Sequence, residues 1–211
     1  MKILCYGDSN TWGYIPNVNG YSKTAIAQQY NKQDCWWYPL TQQNKLFING
    51  LCGRCIAHEN KWLENRNAFI TIEKDLEKYN NIDLIILQLG TNDCKSQYDD
   101  PAEEIAKNFQ NLINKIKSIS NAHFMIISPA QIKEDTAITQ KYYKGANKKS
   151  IQLNNLYEEI ANKNGFIFVS GLNLDIGEDG EHLTLLGHKQ LGQKVIKAFI
   201  EYEQNLTKEQ K

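Results

Sequence analysis

The stretch Ile3-Leu4-Cys5-Tyr6-Gly7-Asp8-Ser9-Asn10-Thr11-Trp12-Gly13 begins as an apolar run and then changes abruptly to glycine, acid and serine. An unbroken apolar run is typical of a strand in a parallel sheet, because such a strand is buried on both faces. We therefore expect Lys2 to Tyr6 to form a central strand that ends in a tight turn at Gly7. Ser9 would then lie at the carboxyl end of this strand, where open α/β sheets bind their ligands.

Ser9 fits two roles at such a position. A serine just before a helix commonly caps the helix N-terminus, and this is the simpler interpretation. A nucleophilic serine needs a histidine base, an acid that orients the histidine, and donors for an oxyanion, supplied from other strand ends. The rest of the chain therefore decides the role of Ser9.

Length and charge limit what the whole chain can be. Its 211 residues suit one well-filled core, so we expect a single domain over residues 1–211. The 24 basic and 24 acidic side chains leave no net field for nucleic acid or an anionic membrane, and we expect neither partner. The sequence has no apolar run of about 18 residues for a membrane span. Its apolar start is too short for a secretory signal, which predicts a cytoplasmic protein or a mature chain whose leader was removed.

The cysteines are odd in number and scattered, which predicts reduced thiols. Cys52 and Cys55 form a C-x-x-C pair, which suits a redox pair or half of a metal site. A redox pair would need a thioredoxin-like context, and a metal site would need two more ligands at matching spacing. The sequence offers neither, so we expect no metal and no cofactor.

Four further apolar strands alternate with helices after the first turn. The predicted strands are Lys45–Asn49, Asp83–Gly90, His123–Pro129 and Gly165–Ser170. Asp100 is expected to cap a helix whose apolar face includes Phe109, and Thr184 to cap the last helix. The segment from Tyr14 to Asp34 and the Lys-rich segment after Pro129 are predicted loops. This alternation predicts an α/β fold, a three-layer sandwich around a five-stranded parallel sheet.

An aromatic cluster at Trp36 and Trp37 opens a short predicted helix. The simpler interpretation is that these rings pack the helix onto the sheet. The alternative is that Trp36 or Trp37, together with Trp12, lines a substrate cleft. These three tryptophans are therefore the candidates for substrate binding.

His182 and Asp179 supply the partners that a nucleophilic serine needs. His182 lies just before the last helix, and Asp179, three residues earlier with Gly180 between, can reach its second ring nitrogen. Taken alone, Asp179 is more simply interpreted as a turn former and His182 as a surface residue. His58, His123 and His188 have no acid placed in this way.

Oxyanion donors can also be found at strand ends. Gly53 offers a backbone N–H in a glycine turn, Ser9 offers its own N–H, and Asn92 offers a side-chain amide after the strongest predicted strand. An isolated Asn more often caps a loop, and this alternative stays open for Asn92.

Four blocks in this order, Gly7-Asp8-Ser9, Gly53, Gly90-Thr91-Asn92-Asp93 and Asp179-Gly180-Glu181-His182, resemble the SGNH hydrolases, also called the GDSL esterase and lipase family. The resemblance implies a flavodoxin-like sheet, with Ser9 as nucleophile, His182 as base and Asp179 as orienting acid. It also implies an oxyanion hole formed by Ser9, Gly53 and Asn92. Thr11-Trp12-Gly13 and Gly50-Leu51-Cys52-Gly53-Arg54 look most like the arylesterase and acyltransferase branch.

Two residues depart from the family pattern. Glu181 stands where members often have an aliphatic residue, and its carboxylate either raises the pKa of His182 or points to solvent. Asn10 replaces the usual apolar neighbour of the serine, which alters the packing beneath the turn.

The expected function is hydrolysis of a small-molecule ester through an acyl-enzyme on Ser9. Short-chain acyl esters or acetylated carbohydrates are favoured, because no lipid-facing helix or basic patch is evident. The alternatives are a lysophospholipase or thioesterase-type lipid acyl hydrolase, a non-catalytic carbohydrate-binding relative, and a thiol-redox role for Cys52 and Cys55. The sequence leaves the oligomeric state open.

Overall fold

A computed structural model describes residues 1–19, 26–60 and 63–209, and within these ranges the chain is built on a five-stranded sheet. The strands are β1 (Lys2–Gly7), β2 (Lys45–Gly50), β3 (Leu84–Gln88), β4 (His123–Ile127) and β5 (Ile167–Val169). They lie in the order β2-β1-β3-β4-β5, and every neighbouring pair is parallel. This is the strand order of flavodoxin-like folds, whose ligands bind beside the first strand. The predicted α/β fold with a five-stranded parallel sheet is therefore confirmed.

Helices cover both faces of the sheet. The α-helices are α1 (Ser9–Trp12), α2 (Ala68–Leu76), α3 (Ala102–Ile119), α4 (Ala137–Tyr142), α5 (Ala146–Asn164) and α6 (Leu185–Glu209). Phe109 of α3 and Tyr157 of α5 stack at 4.1 Å in a core cluster that includes Leu4 of β1. On the opposite face, Leu191 of α6 shares a second cluster with Ile3. Because neighbouring residues of β1 face opposite ways, this single strand contributes to both cores.

The carboxyl ends of β1, β2, β3 and β4 are in register, so the turns that follow these strands lie close together. Gly7 at the end of β1 is in register with Gly50 of β2 and with Gln88 of β3. Gln88 is in turn in register with Ile127 of β4. Since all strands run the same way, the polar segments after β1, β2 and β3 emerge side by side along one edge of the sheet.

One helix cap and one whole helix differ from the sequence prediction. Pro101, not Asp100, occupies the N-cap position of α3, and the Asp100 carboxylate instead lies 2.7 Å from His58 Nε2. The sequence predicts a loop for the Lys-rich segment after Pro129, but this segment contains α4. A capping box in which Thr136 and Thr139 exchange hydrogen bonds stabilises the start of α4.

The start of α6 agrees with the prediction, because Thr184 Oγ1 accepts the N–H of Gly187 at 3.1 Å. None of the helices in the described ranges is long and apolar enough to span a membrane. Part of the predicted loop from Tyr14 to Asp34, residues 20–25, lies outside the described residues.

Candidate active site

Ser9 is the first residue of α1 and is separated from β1 by Asp8 alone. Asp8, not Ser9, caps this helix, since Asp8 Oδ1 accepts the N–H of Asn10 at 2.9 Å. The interpretation of Ser9 as the N-cap is therefore wrong. Only glycine fits at position 7, because a Cβ there would lie 2.1 Å from Thr11 Oγ1 and 2.6 Å from the Gln88 carbonyl oxygen. The tight turn after β1 thus presents Ser9 at the carboxyl edge of the sheet.

The Ser9 hydroxyl contacts His182, which comes from the far end of the chain. Ser9 Oγ lies 2.8 Å from His182 Nε2, and His182 Nδ1 lies 2.9 Å from Asp179 Oδ2. Asp179 also accepts the backbone N–H groups of Glu181, His182 and Asn17 at 3.0 to 3.2 Å. The structure therefore brings Ser9, His182 and Asp179 into one hydrogen-bonded row, in the order that the sequence predicts.

Burial and neighbouring charges shift the pKa values of His182 and Asp179 in opposite directions. Burial lowers the pKa of His182, but the carboxylates of Glu181 and Asp179 outweigh it and leave the pKa above its ordinary value. Burial raises the pKa of Asp179, but the hydrogen bonds and charge of His182 outweigh it and leave the pKa lowered. Asp179 is therefore a carboxylate at neutral pH, and it stabilises an imidazolium form of His182.

Asn10 and Tyr14 fix His182 from two sides. Asn10 Nδ2 donates to the Glu181 carbonyl oxygen at 3.2 Å, and Asn10 Oδ1 accepts the N–H of Leu183 at 2.9 Å. The residue after the serine is thus bonded to the backbone on both sides of the histidine. The Tyr14 ring stacks on the imidazole of His182, with the ring centroids 4.3 Å apart. The sequence predicts neither contact. The one sign of a role for Asn10 in the sequence is that a polar residue stands where the family usually has an apolar one.

Gly53 lies in a turn that is bonded directly to the end of β1. The N–H of Leu51 donates to the Gly7 carbonyl oxygen at 3.0 Å, and the N–H of Arg54 closes the turn on Leu51 at 3.0 Å. Gly53 has a φ of +79°, a value that strongly favours glycine. The buried guanidinium of Arg54 bonds the carbonyl oxygens of Gly7 and Asn49 at 2.7 and 2.6 Å. These contacts place the Gly53 turn beside the turn that carries Ser9.

Asn92 lies beside the same turn, in a short 3₁₀ helix (Asn92–Cys94) after β3. Its Nδ2 donates to the Arg54 carbonyl oxygen at 3.1 Å, and its Oδ1 accepts from Lys95 Nζ at 2.8 Å. Thr91 is the N-cap residue of this helix, and the hydrogen bonds of the Asn92 side chain go to the Arg54 carbonyl oxygen and to Lys95 Nζ, not to a backbone N–H of the following loop. Ser9, Gly53 and Asn92 therefore lie on three adjoining turns at one edge of the sheet.

Two of the three tryptophans belong to the core. Trp36 and Trp37 are 1% and 4% exposed, and their indole N–H groups donate to the carbonyl oxygens of Asn10 and Thr11. The expectation that they line a substrate cleft is wrong, because their rings pack beneath α1 and support it. Trp12 is partly exposed, and its role in substrate binding stays a prediction.

Glu181 does not point to solvent. Its side chain is 2% exposed, and its carboxylate accepts a hydrogen bond from the Tyr143 hydroxyl. Of the two alternatives for Glu181, the structure therefore favours a carboxylate that raises the pKa of His182.

The cysteines are free thiols, and Cys52 is the partly exposed one. Burial raises the pKa of Cys52 to about 12, which disfavours the thiolate that redox chemistry uses. Within the described residues, no group of three or more His, Cys, Asp or Glu side chains is arranged to hold a metal ion.

Comparisons with solved structures agree with the fold. The aryl esterase of M. smegmatis superposes with a TM-score of 0.84 at 24% identity, covering 96% of this chain and 98% of that chain. Est24, a carbohydrate acetylesterase from Sinorhizobium meliloti, gives 0.84 at 23%, covering 95% and 99%. A member of the lipolytic protein G-D-S-L family from Veillonella parvula gives 0.67 at 17%, covering 95% and 98%. At these identities, the likeness shows the fold.

The family follows from the sequence itself. A search of the curated proteins found no match to this chain. The sequence profile of the GDSL-like lipase/acylhydrolase family, in contrast, matches residues 5–190, a range that includes Ser9 and His182. The resemblance seen in the sequence blocks is thus confirmed. The chain therefore belongs to the GDSL-like lipase/acylhydrolase family and is an enzyme that hydrolyses esters.

Proposed function

We propose that Ser9 is the nucleophile of this esterase, with His182 as its general base and Asp179 as the acid that orients His182. The observation that carries the proposal is the row from Ser9 Oγ to His182 to Asp179, with contacts of 2.8 and 2.9 Å. A base within hydrogen-bond reach of the hydroxyl and an acid on its second ring nitrogen are what serine nucleophiles require.

Ser9, His182 and Asp179, together with donors for the oxyanion, supply every group that acylation needs. Ser9 Oγ attacks the ester carbonyl carbon while its proton passes to His182 Nε2, and the carbonyl oxygen becomes an oxyanion. We assign the backbone N–H groups of Ser9 and Gly53 and the amide of Asn92 as the donors to that oxyanion. When the tetrahedral intermediate collapses, the alcohol leaves with the proton from His182, and an ester of Ser9 is left.

Deacylation repeats the same chemistry with water. His182 takes a proton from water as the water oxygen attacks the acyl carbon, and the same donors stabilise the second oxyanion. Collapse releases the carboxylic acid and returns the proton to Ser9 Oγ. Asp179 stays ionised throughout and stabilises the imidazolium of His182 in both steps.

For the substrate we propose small, water-soluble esters, either short-chain acyl esters or acetylated carbohydrates. Two proteins of the same fold, an aryl esterase and a carbohydrate acetylesterase, support this class. The equal numbers of acidic and basic residues also favour an uncharged small molecule over an anionic surface. We further propose that residues 1–211 are one domain, since a single sheet includes strands from Lys2 to Val169.

Hydrolysis of p-nitrophenyl acetate tests the proposed nucleophile. We expect turnover by the wild type and a loss of about 10³-fold or more in kcat for Ser9→Ala. Ser150→Ala is the matched control, because Ser150 is also a buried serine but lies on α5. A Ser9→Ala variant that keeps the wild-type rate would contradict the proposal.

A series of p-nitrophenyl acetate, butyrate, octanoate and decanoate tests the proposed substrate class. We expect kcat/KM to be highest for acetate or butyrate. The highest value for decanoate would favour the alternative, a lysophospholipase or thioesterase-type acyl hydrolase, while leaving the role of Ser9 intact.

A further inference from the structure

Lys95 is a buried cation next to the proposed oxyanion site. It is 9% exposed, and its Nζ lies 2.8 Å from Asn92 Oδ1. Lysines are seldom buried, because removing an ammonium group from water is costly unless specific partners receive it. The hydrogen bond to Asn92 Oδ1 is one such contact, and it joins Lys95 to a residue of the proposed oxyanion hole.

The two contacts of Asn92 determine the orientation of its amide. An ammonium group can only donate, so the amide atom beside Lys95 Nζ must be the oxygen. The Arg54 carbonyl oxygen can only accept, so the amide atom 3.1 Å from it must be the nitrogen. One N–H of Asn92 is donated to Arg54, and the second N–H is the one that can meet an oxyanion.

We propose that Lys95 is a positioning residue that orients and polarises the Asn92 amide for oxyanion binding. The proposal rests on the role of Asn92 under the proposed function. Lys95 holds the amide oxygen and so prevents the amide from turning over. Its positive charge draws electron density toward that oxygen, and this makes the remaining N–H a stronger donor.

Tyr143 supports the position of Lys95. Lys95 Nζ lies 5.6 Å from the centroid of the Tyr143 ring, and the Tyr143 hydroxyl donates to the Glu181 carboxylate. The ring is fully buried, so its packing restricts where the ammonium group can lie. Tyr143 thus contacts both Lys95, which bonds Asn92, and Glu181, which precedes His182 in the chain.

A purely structural role for Lys95 is the competing interpretation. Lys95 and Asn92 belong to one turn, in which the N–H of Lys95 donates to the Asn92 carbonyl oxygen at 3.2 Å. A lysine that only stabilises this turn would affect stability, and any effect on catalysis would be independent of the Asn92 side chain. A double-mutant cycle separates the two roles.

The test measures kcat, KM and thermal unfolding for wild type, Lys95→Met, Asn92→Ala and the double variant, with p-nitrophenyl acetate as the substrate. Methionine keeps the length and the packing of the lysine stem but removes the charge and the donor. We expect Lys95→Met to lower kcat about 10- to 100-fold with KM unchanged, a part of the 10²- to 10³-fold cost of a lost oxyanion donor. In the Asn92→Ala background, the same change should cost less than about twofold.

Equal losses in the two backgrounds would overturn the proposal for Lys95 and leave the proposed function intact. A wild-type kcat for Asn92→Ala would instead remove Asn92 from the oxyanion hole, and the role of Lys95 would fail with it. If Lys95→Met does not fold, Lys95→Gln completes the same cycle, because its amide keeps a neutral donor. A loss for Lys95→Gln that also disappears in the Asn92→Ala background would support the proposal.

Discussion

At the scale of single residues, Asn10 connects the two halves of the proposed active site. Its side chain bonds backbone atoms of Glu181 and Leu183, which flank His182, while its own backbone follows Ser9. A change in the position of the base relative to the nucleophile would therefore break two buried hydrogen bonds. Small displacements of reacting groups are costly for catalysis, so the loss of this side chain should lower the rate as well as the stability.

We predict that Asn10→Ala lowers kcat about 10- to 100-fold, because the His182 loop loses both bonds to the Ser9 turn. The measurement is kcat with p-nitrophenyl acetate together with the thermal unfolding midpoint. Asn154→Ala is the matched control: Asn154 is also buried and accepts the hydroxyls of Ser128 and Ser170, away from the site. Equal losses of kcat in the two variants would contradict the role of Asn10.

Glu181→Gln should shift the pH dependence of the reaction. His182 must be unprotonated to accept the Ser9 proton, and the Glu181 carboxylate raises the pKa of His182. Removing that charge lowers this pKa, so the acid limb of kcat/KM should move to lower pH. The other carboxylates that act on His182, Asp179 and Asp8, are retained in the variant.

The control for this shift is Glu178→Gln, which removes an exposed carboxylate from the same loop. Its acid limb should coincide with that of the wild type. An acid limb for Glu181→Gln that stays in place or moves to higher pH would show that Glu181 does not act on His182.

At the scale of secondary-structure elements, α1 depends on its surroundings. A four-residue helix is not stable on its own, because its few hydrogen bonds do not repay the ordering of the backbone. The Asp8 cap holds its start, and the indoles of Trp36 and Trp37 bond its carbonyl groups from beneath. The position of Ser9 is thus set by the core as much as by the local sequence.

Trp37→Phe should therefore affect both stability and rate. The variant loses a buried bond of 3.0 Å to Thr11 and part of the ring volume, which should cost about 1–3 kcal/mol in the free energy of unfolding. We also expect kcat to fall about tenfold, because α1 shifts and moves Ser9 with it. Urea denaturation and p-nitrophenyl acetate hydrolysis give the two quantities.

The comparison variant is Phe109→Leu, in the core cluster on the opposite face of the sheet. It should lower stability by a similar amount and leave kcat unchanged. If the two variants lose activity in the same proportion to their loss of stability, the specific support of α1 by Trp37 is disproved.

The elements show which local signals can be read from the sequence. The apolar runs at Ile3 and Leu84 predict strands, because burial on both faces leaves no polar positions. The start of α4 was missed, since its capping box is two threonines within a lysine-rich segment. Asp100 was misassigned because its carboxylate has a partner, His58, that is 42 residues away in the chain.

At the scale of the whole molecule, the parallel register assembles the site. Ser9, His182 and Asp179 could be predicted because each lies near a recognisable strand end or helix start. The four sequence blocks that contain the proposed site residues also resemble a known family. The contacts of Asn10, Lys95 and Tyr143 could not be predicted, since they depend on strand order and on packing across the sheet edge. No pattern within a single segment of the sequence reports such contacts.

The stability of the whole molecule should depend on pH through Asp93. This carboxyl is buried and accepts the N–H of Ile56, and burial raises its pKa to about 7. A raised pKa means that the contribution of Asp93 to stability is fully present below about pH 4 and is lost as the pH rises through about 7. Asp93→Asn should avoid this loss and gain about 2–4 kcal/mol relative to wild type over that range.

The measurement is urea denaturation of both proteins across this pH range. The buried carboxyl of Asp8, whose own pKa burial also raises, is retained in both proteins, and its charge contributes to the raised pKa of Asp93. Asp135→Asn, at an exposed position, is the control and should give a difference that does not change with pH. A constant difference for Asp93→Asn as well would contradict this account of Asp93.

The central claim, that Ser9 is activated by His182, is tested most directly by covalent labelling. The protein is treated with diisopropyl fluorophosphate, and the label is located by peptide mass spectrometry while esterase activity is followed. We predict one label per chain, on Ser9, a loss of activity in proportion to labelling, and no labelling of His182→Ala. Complete inactivation with the label on another residue, or full labelling of Ser9 in His182→Ala, would contradict the account.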